Sequence, residues 1–444
     1  MWNFVKPKNL TFSEYQEQIS NQYKDDNAIL ALFDTSKYEN KEGRLANVTF
    51  TIKDNYATEE GVTTSGSRLL KNFKPQYNST VFQKLIDEGA VPLFKANLDE
   101  LAMGGTGTTS GFGIVPNPID RTKQVGGSSS GSAFLQAIDA VDFSIGSDTG
   151  DSVRKPAAYI NRIGFKPSWG LISRYGISEF AASLDTVSYF TNTVEQAALL
   201  LEILQGKDEQ DLTANEDNTK FSEELNTNKK YKIGYWPNLV SNLKDKTIET
   251  DITLLADKLK ADGHELLEMK LHDDLFDAML AVYRIVALTE AISINSNLTG
   301  FLFGESGKGK DFNEQSINTR SENFEYEVKK RMLWGAYSAY ESDLYKRALD
   351  IKEQLIIEVN EVFERMDAIL LPSTPIKGNN MDGTSSSESP LDDYLWMFNA
   401  NGSPSITVPI TSTTVINTSV NIATAKGQDL ECLRLAKIVE GYNE

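Results

Sequence analysis

Two short glycine- and serine-rich segments are the part of the sequence best suited to chemistry. GGSSSGS occupies residues 126–132 and SDTGDS occupies residues 147–152, with a helix-like and a strand-like segment between them. Such turns let backbone N–H groups converge on an anion, either a phosphate or the oxyanion of a tetrahedral intermediate. A Gly-Ser run is more often a flexible linker, but these runs lead directly into regular elements. The spacing of a G-x-x-x-x-G-K-[ST] phosphate loop is absent.

Other nucleophilic and metal-binding residue types are scarce. Cys432 is the only cysteine, which rules out an internal disulfide and indicates a cytoplasmic location. Its place in the apolar pattern of a C-terminal helix predicts a packing role. His264 and His272 share no ligand spacing with it, so no metal site is expected. A serine activated by histidine is excluded unless one of the two is brought across the fold.

The segments around the two turns alternate between strand and helix patterns. NVTFTIKDN carries apolar residues at every second position and predicts a strand that ends at Lys53. AVPLFKAN and VDFSIGS predict further strands, while STVFQKLIDEGA and TVEQAALLLEILQG predict helices. This βαβ order predicts a parallel or mixed sheet covered by helices. One edge of that sheet would bring the two turns together.

The rest of the chain follows the same order with less certain boundaries. Residues 207–230 are polar and predict a surface connection, and a second αβ section follows from about residue 231 to 444. Within it, residues 300–320 (GFLFGESGKGKDFNEQSINTR) predict a mobile loop beside a site or a partner. One long helix is predicted from about Phe324 to Met366.

Charge and hydropathy restrict the possible partners. The 444 residues carry a net charge of -19, which repels phosphate backbones, so RNA binding by this chain alone is not expected. No apolar run reaches the roughly 18 residues of a membrane span, and the N-terminus lacks the pattern of a secretory signal. No membrane association is therefore expected.

The two turns together closely resemble the motif of a known enzyme family. GGSSSGS followed by GSDTGDSVRKPAA is similar to the signature of the amidase signature family, GGSSGGS followed by GSDTGGSIRxPAA. IKDN at residues 52–55 resembles the segment that carries the family's catalytic lysine. The resemblance is strong over a signature core of about residues 45–208. It implies an α/β amidase-signature fold, one large domain over residues 1–444 with a mixed central β-sheet and helices on both faces.

The resemblance implies a catalytic triad without histidine. It identifies Ser152 as the nucleophile, Ser128 as a relay and neutral Lys53 as the base, with Ser128 held by a cis peptide bond to Gly127. Serine–lysine pairs are a known alternative to histidine-activated serine. Because a free lysine has a pKa of about 10.4, Lys53 must be desolvated to act near neutral pH.

The resemblance also implies an oxyanion hole and two substrate contacts. The hole consists of the backbone N–H groups of Thr149, Gly150, Asp151 and Ser152. YRIVALTEA places the family's substrate-side tyrosine at Tyr283, and VKKRMLWGAY places its carboxylate-binding arginine at Arg331. The alternatives are a packing tyrosine and a helix-surface arginine. Arg154 is expected to be structural, holding this turn to nearby carboxylates, and the alternative is a substrate ligand.

A narrower resemblance suggests the reaction. Residues 173–208 begin SRYG and continue through SLD, like the glutamine-hydrolysing A subunits of glutamyl-tRNA(Gln) amidotransferases. This implies hydrolysis of glutamine to glutamate and ammonia. It also implies a B subunit that uses the ammonia, ATP and Mg to convert Glu-tRNA(Gln) to Gln-tRNA(Gln), and a small C subunit. No cofactor is expected in this chain. The alternatives are a free-standing amide hydrolase and a catalytically weak scaffold subunit.

Three positions depart from the family pattern. Asp151 replaces the glycine before the nucleophile, and its carboxylate opposes a developing oxyanion unless it turns outward to Arg154, Lys155 or a nearby N–H. Gly107 stands where these A subunits usually carry glutamate. The segment PLDDYLWMFNANGSPSI is shorter than in the family, which leaves Asp392 and Asp393 as candidates for binding a substrate amino group.

Overall fold

The computed structural model describes residues 2, 4–302, 304–382, 393–410 and 415–442 of the chain. Within these residues the centre of the molecule is one eleven-stranded β-sheet. The strands are β1 Ile29–Leu32, β2 Thr49–Lys53, β3 Val91–Ala96, β4 Phe143–Asp148, β5 Ile163–Lys166, β6 Thr186–Thr191, β7 Lys232–Tyr235, β8 Glu265–Glu268, β9 Ala368–Pro372, β10 Ser405–Pro409 and β11 Ser419–Ala423. Their order across the sheet is β1-β3-β2-β4-β6-β5-β10-β11-β9-β7-β8.

Thirteen α-helices surround this sheet in the described part of the chain. They are α1 Phe12–Gln22, α2 Thr80–Asp87, α3 Ser130–Ala137, α4 Arg154–Tyr159, α5 Val194–Leu204, α6 Pro237–Ser241, α7 Lys246–Ala261, α8 Asp273–Ile294, α9 Phe312–Asn323, α10 Tyr326–Tyr340, α11 Ser342–Arg365, α12 Met397–Ala400 and α13 Asp429–Gly441. Polar caps begin several of them, as at α2, where the Ser79 hydroxyl accepts a hydrogen bond from the Phe82 N–H.

The sheet is mixed, as the sequence predicts. β2 lies parallel between β3 and β4, the strands from β4 to β9 across the sheet are antiparallel neighbours, and β7 pairs in parallel with β8 and β9. Strands of the signature core and of the second αβ section meet where β5 pairs with β10. The assignment of residues 1–444 to a single domain remains a prediction.

Both faces of the sheet are covered, which confirms the predicted layer arrangement. Along β9, Ala368 and Leu370 belong to a core shared with α7 and α13. Ile369 and Leu371, which point to the other face, belong to a second core shared with α8 and α11. Successive residues of a strand face opposite sides, so the two cores lie on opposite faces of the sheet.

Two predictions about the second section are wrong. The predicted loop at residues 300–320 contains most of helix α9, which Asp311 caps by accepting a hydrogen bond from the Glu314 N–H. The single helix predicted from Phe324 to Met366 is two helices, because the backbone leaves the helical region at Glu341 (φ -80°, ψ 71°). Residues 207–230 contain no helix or strand of the lists above, in agreement with the predicted connection.

Candidate active site

Lys53 lies at the C-terminal end of β2, between two parallel neighbours, and is fully buried. Its Nζ lies 2.7 Å from the hydroxyl oxygen of Ser128 and 2.9 Å from that of Ser147. Burial lowers the pKa of Lys53 to about 7, although the nearby carboxylates of Asp99, Asp185 and Asp148 act in the opposite direction. Near neutral pH the amine therefore has a large neutral fraction that can accept a proton.

Ser128 and Ser152 come from the two glycine-rich turns and lie next to each other. The Ser129 N–H donates to the Ser152 carbonyl (3.3 Å), and the Asp99 N–H donates to the Ser128 carbonyl (3.1 Å). The peptide bond between Gly127 and Ser128 is cis, as the resemblance implies. Ser128 is fully buried and Ser152 is 5% exposed. Among the described residues the Ser152 hydroxyl has no hydrogen-bond partner, so it is available to attack a substrate.

The turn at residues 149–152 presents its amides rather than its carbonyl groups. No described residue accepts a hydrogen bond from these four N–H groups. Arg154 fixes the turn from behind, because its guanidinium donates to the Gly150 carbonyl (2.6 Å) and to the Asp148 carboxylate (2.8 Å). The Val153 N–H also donates to Asp148 (2.9 Å). The four amides thus remain free for an anion.

Arg154 has the structural role predicted for it. It is fully buried, and besides Asp148 and Gly150 it donates to Asn399 (2.6 Å) and to the Leu395 carbonyl (3.0 Å). Burial by itself would raise the pKa of Asp148. The Arg154 charge and hydrogen bonds outweigh that effect and hold the pKa at about 2. This ionised pair shapes the turn and is not available to a substrate.

Asp151 contacts Lys155, one of the partners considered from the sequence. Its Oδ2 lies 2.6 Å from the Lys155 Nζ, four residues later. Asp151 is absent from the residues with positive φ, so its replacement of glycine carries no left-handed strain. The second departure, Gly107 in place of glutamate, also fits its position. Gly107 has φ +77°, and an added Cβ would lie 2.8 Å from the Val125 side chain.

Tyr283 on α8 packs directly against the turn. A Cβ added to Gly150 would lie 2.8 Å from the Tyr283 hydroxyl oxygen, so only glycine fits between them. The Tyr283 ring also packs against Trp396, with ring centroids 5.7 Å apart. The tyrosine hydroxyl therefore lies directly against Gly150, in the middle of the turn.

The other predicted substrate residues, Arg331 and Asp393, lie near Tyr283. Arg331 on α10 is partly exposed, and its Nε lies 3.8 Å from the Glu327 carboxylate. Its positive charge works to lower the pKa of Tyr283 and of Asp393. Asp393 is also partly exposed, and its carboxylate lies 3.0 Å from the Lys155 Nζ. The alternative residue, Asp392, lies outside the described residues. A cation and a carboxylate thus both stand near Tyr283.

Two further residues of the site, Ser147 and Asn55, escaped sequence reasoning. Ser147 accepts a hydrogen bond from the Asn55 amide (3.2 Å) and contacts the Lys53 amine, so it helps to orient that amine. Ser147 stands inside the SDTGDSVRKPAA segment and Asn55 two residues after Lys53, and proximity to the motif was the only signal that could have suggested them. The sequence offered Lys155 as a partner of Asp151 but gave no sign that it also contacts Asp393.

The chain is similar to known proteins of one family over most of its length. The family model described as Amidase matches residues 14–433. The A subunit of glutamyl-tRNA(Gln) amidotransferase from Mycoplasma pneumoniae is 38% identical over 379 residues, which is 82% of this chain and 79% of that protein. The corresponding protein of Campylobacter fetus is 32% identical over 414 residues, or 92% and 91%.

A solved structure shares the fold over nearly the whole chain. The crystal structure of the glutamyl-tRNA(Gln) amidotransferase A subunit from Thermotoga maritima superposes with a TM-score of 0.80 at 29% sequence identity. The superposition covers 98% of this chain and 94% of that one.

Proposed function

The chain belongs to the amidase family, and from that premise we propose that it is the glutamine-hydrolysing A subunit of a glutamyl-tRNA(Gln) amidotransferase. The relatives described above carry that name, at identities up to 38% over most of both chains. The observation that carries the chemistry is the 2.7 Å contact between the buried Lys53 amine and the Ser128 hydroxyl, beside the turn that holds Ser152.

The reaction begins with attack on the side-chain amide of glutamine. The Ser152 oxygen bonds to the amide carbon, its proton passes to Ser128, and the Ser128 proton passes to the neutral Lys53 amine. The N–H groups of residues 149–152 stabilise the negative oxygen that forms. Lys53 then returns the proton through Ser128 to the amide nitrogen, the C–N bond breaks and ammonia leaves. Water hydrolyses the glutamyl ester by the reverse route and releases glutamate.

The two poles of free glutamine fit the charges in front of the turn. Arg331 binds the α-carboxylate, for which the planar guanidinium is suited. Asp393 binds the α-ammonium, and the charges of both residues lie close enough to Tyr283 to affect its pKa. This arrangement selects an amide that carries both charges.

Replacement of Arg331 by alanine should raise the KM for glutamine at least about tenfold and change kcat much less, because it removes binding that substrate and transition state share. Steady-state ammonia release over a range of glutamine concentrations measures both constants. Lys330→Ala, which removes the neighbouring cation on the same helix, serves as the control. An unchanged KM for Arg331→Ala would assign that arginine to the helix surface.

The ammonia is consumed by a partner. We assign its use to a B subunit that binds Glu-tRNA(Gln), ATP and Mg, accompanied by a small C subunit, because glutamine hydrolysis by this chain yields only ammonia and glutamate. The net charge of -19 is consistent with RNA being held by another chain.

None of the described helices combines the length and apolar composition needed to cross a membrane. Across the described ranges, no three His, Cys, Asp or Glu side chains gather to hold a metal ion.

Glutamine-dependent ammonia release tests the proposal directly. The purified chain, alone and with co-expressed B and C subunits, is assayed with glutamine and with acetamide, a small amide that lacks both charged groups. We expect release from glutamine in preference to acetamide, and tRNA binding only when the partner chains are present. Preference for acetamide would favour a free-standing amide hydrolase. Absence of release from either amide, with partners present, would favour the scaffold alternative.

A further inference from the structure

A single buried cation connects the nucleophile turn to the residue that faces the glutamine ammonium. The Lys155 Nζ lies 2.6 Å from Asp151 and 3.0 Å from Asp393. The side chains of Lys155 and Asp151 are each 10% exposed, and that of Asp393 is 28% exposed. Asp393 is separated from Lys155 by 238 residues, so the contact depends on the tertiary fold.

The three charges depend on one another, because buried charges are costly unless they are paired. Burial works to lower the pKa of Lys155, but the two carboxylates outweigh it and raise the pKa, so the amine stays charged. Burial would raise the pKa of Asp393, but the Lys155 charge lowers it, so this carboxylate stays ionised. Burial raises the pKa of Asp151, and the Lys155 charge acts in the opposite direction. When both carboxylates are ionised, the three side chains together carry two negative charges and one positive charge.

Asp151 competes with Asp393 for pairing with Lys155 and so limits how far Lys155 neutralises the Asp393 carboxylate. The shorter contact is the one to Asp151, so that carboxylate takes a large share of the pairing. The usual signature has glycine at position 151, where no carboxylate would compete for a lysine at position 155. A lysine without that competitor would neutralise Asp393 more fully and weaken its attraction for an ammonium group.

We propose that Asp151 and Lys155 act together as positioning residues for the substrate ammonium. Lys155 orients Asp393, and Asp151 pairs with part of the Lys155 charge, so that Asp393 keeps enough negative charge to bind the ammonium group. This inference rests on the proposed glutaminase function and extends it to residues outside the triad. The same contact pairs the Asp151 carboxylate with a cation, which offsets its repulsion of the oxyanion.

Three variants, assayed at pH 8, separate these contributions. Asp151→Gly should raise the KM for glutamine about five- to tenfold, because Lys155 then pairs with Asp393 alone. Lys155→Gln should lower kcat by about tenfold or more, because an unpaired carboxylate is left beside the developing oxyanion, and it should raise the KM for glutamine, because Asp393 loses the partner that orients it. The double variant, which restores glycine and removes the cation together, should return kcat towards that of the parent and leave the KM for glutamine raised.

The substrates are glutamine and 4-carbamoylbutanoate, which is glutamine without its α-amino group. The KM increase of Asp151→Gly should appear with glutamine and not with 4-carbamoylbutanoate, because only glutamine has an ammonium group whose binding the substitution can weaken. Lys310→Gln, which breaks an exposed i,i+4 pair with Glu314, is the matched control and should change neither KM. Thermal unfolding of each variant shows whether the fold is retained.

The outcomes distinguish the two levels of the proposal. Equal KM changes for both amides, or a double variant worse than the two single variants combined, would overturn the positioning role while leaving glutamine hydrolysis intact. A parent chain that hydrolyses neither amide, with its partner chains present, would overturn the proposed function and this inference with it.

Discussion

Replacement of Ser152 by alanine is expected to abolish ammonia release from glutamine, lowering kcat by at least about a thousandfold. The reason is that the variant lacks the oxygen that bonds to the amide carbon, and the neighbouring Ser128 hydroxyl is occupied by its contact with Lys53. The fold should be unchanged, because the Ser152 hydroxyl bonds to no described residue. Ammonia release and thermal unfolding, measured on the same preparation, test both parts.

Ser130→Ala is the matched control for this variant. Ser130 lies in the same pair of turns, and its hydroxyl is buried without a hydrogen-bond partner among the described residues. The substitution therefore removes the same atom type at similar burial, and activity should persist. If Ser152→Ala retains more than about one hundredth of the parent rate, the nucleophile is a different residue.

Replacement of Lys53 by methionine is expected to have an effect of similar size, because it retains an unbranched apolar stem and removes the base. In the parent, kcat/KM should increase with pH and level off above about pH 7. The amine is protonated and inactive below its pKa of about 7 and neutral and active above it. Rates measured over a pH range of about 5.5 to 9 give the midpoint of this change.

Lys166 provides the control for the lysine variant. It is also fully buried, and burial lowers its pKa to about 7, but its amine donates to the backbone carbonyls of Pro167 and Ser403. Lys166→Met should lower the thermal unfolding midpoint and leave the pH midpoint of kcat/KM in place. A parent rate that is independent of pH between about 6 and 8 would remove Lys53 from the role of base.

Local sequence patterns predicted most of the elements that support the site. The apolar alternation in NVTFTIKDN placed Lys53 at the end of β2, and the segments STVFQKLIDEGA and TVEQAALLLEILQG, predicted as helices, contain α2 and α5. These patterns are local, because strand and helix periods and capping hydrogen bonds involve residues a few positions apart. The same reasoning failed at residues 300–320, where Gly and Lys residues obscured the start of α9.

The sequence by itself predicted most of the elements, the two turns and, through the resemblance, the residues proposed for the triad and the oxyanion hole. The tertiary structure decided what those residues touch. Lys53 meets Ser147 across 94 residues, and Lys155 meets Asp393 across 238. The pKa of Lys53 depends on its burial and on the carboxylates of Asp99, Asp185 and Asp148, which distant segments contribute. Helix and strand periodicity can be read from residues that are close in the sequence. The burial of a side chain and its contacts with distant residues arise only when the chain folds.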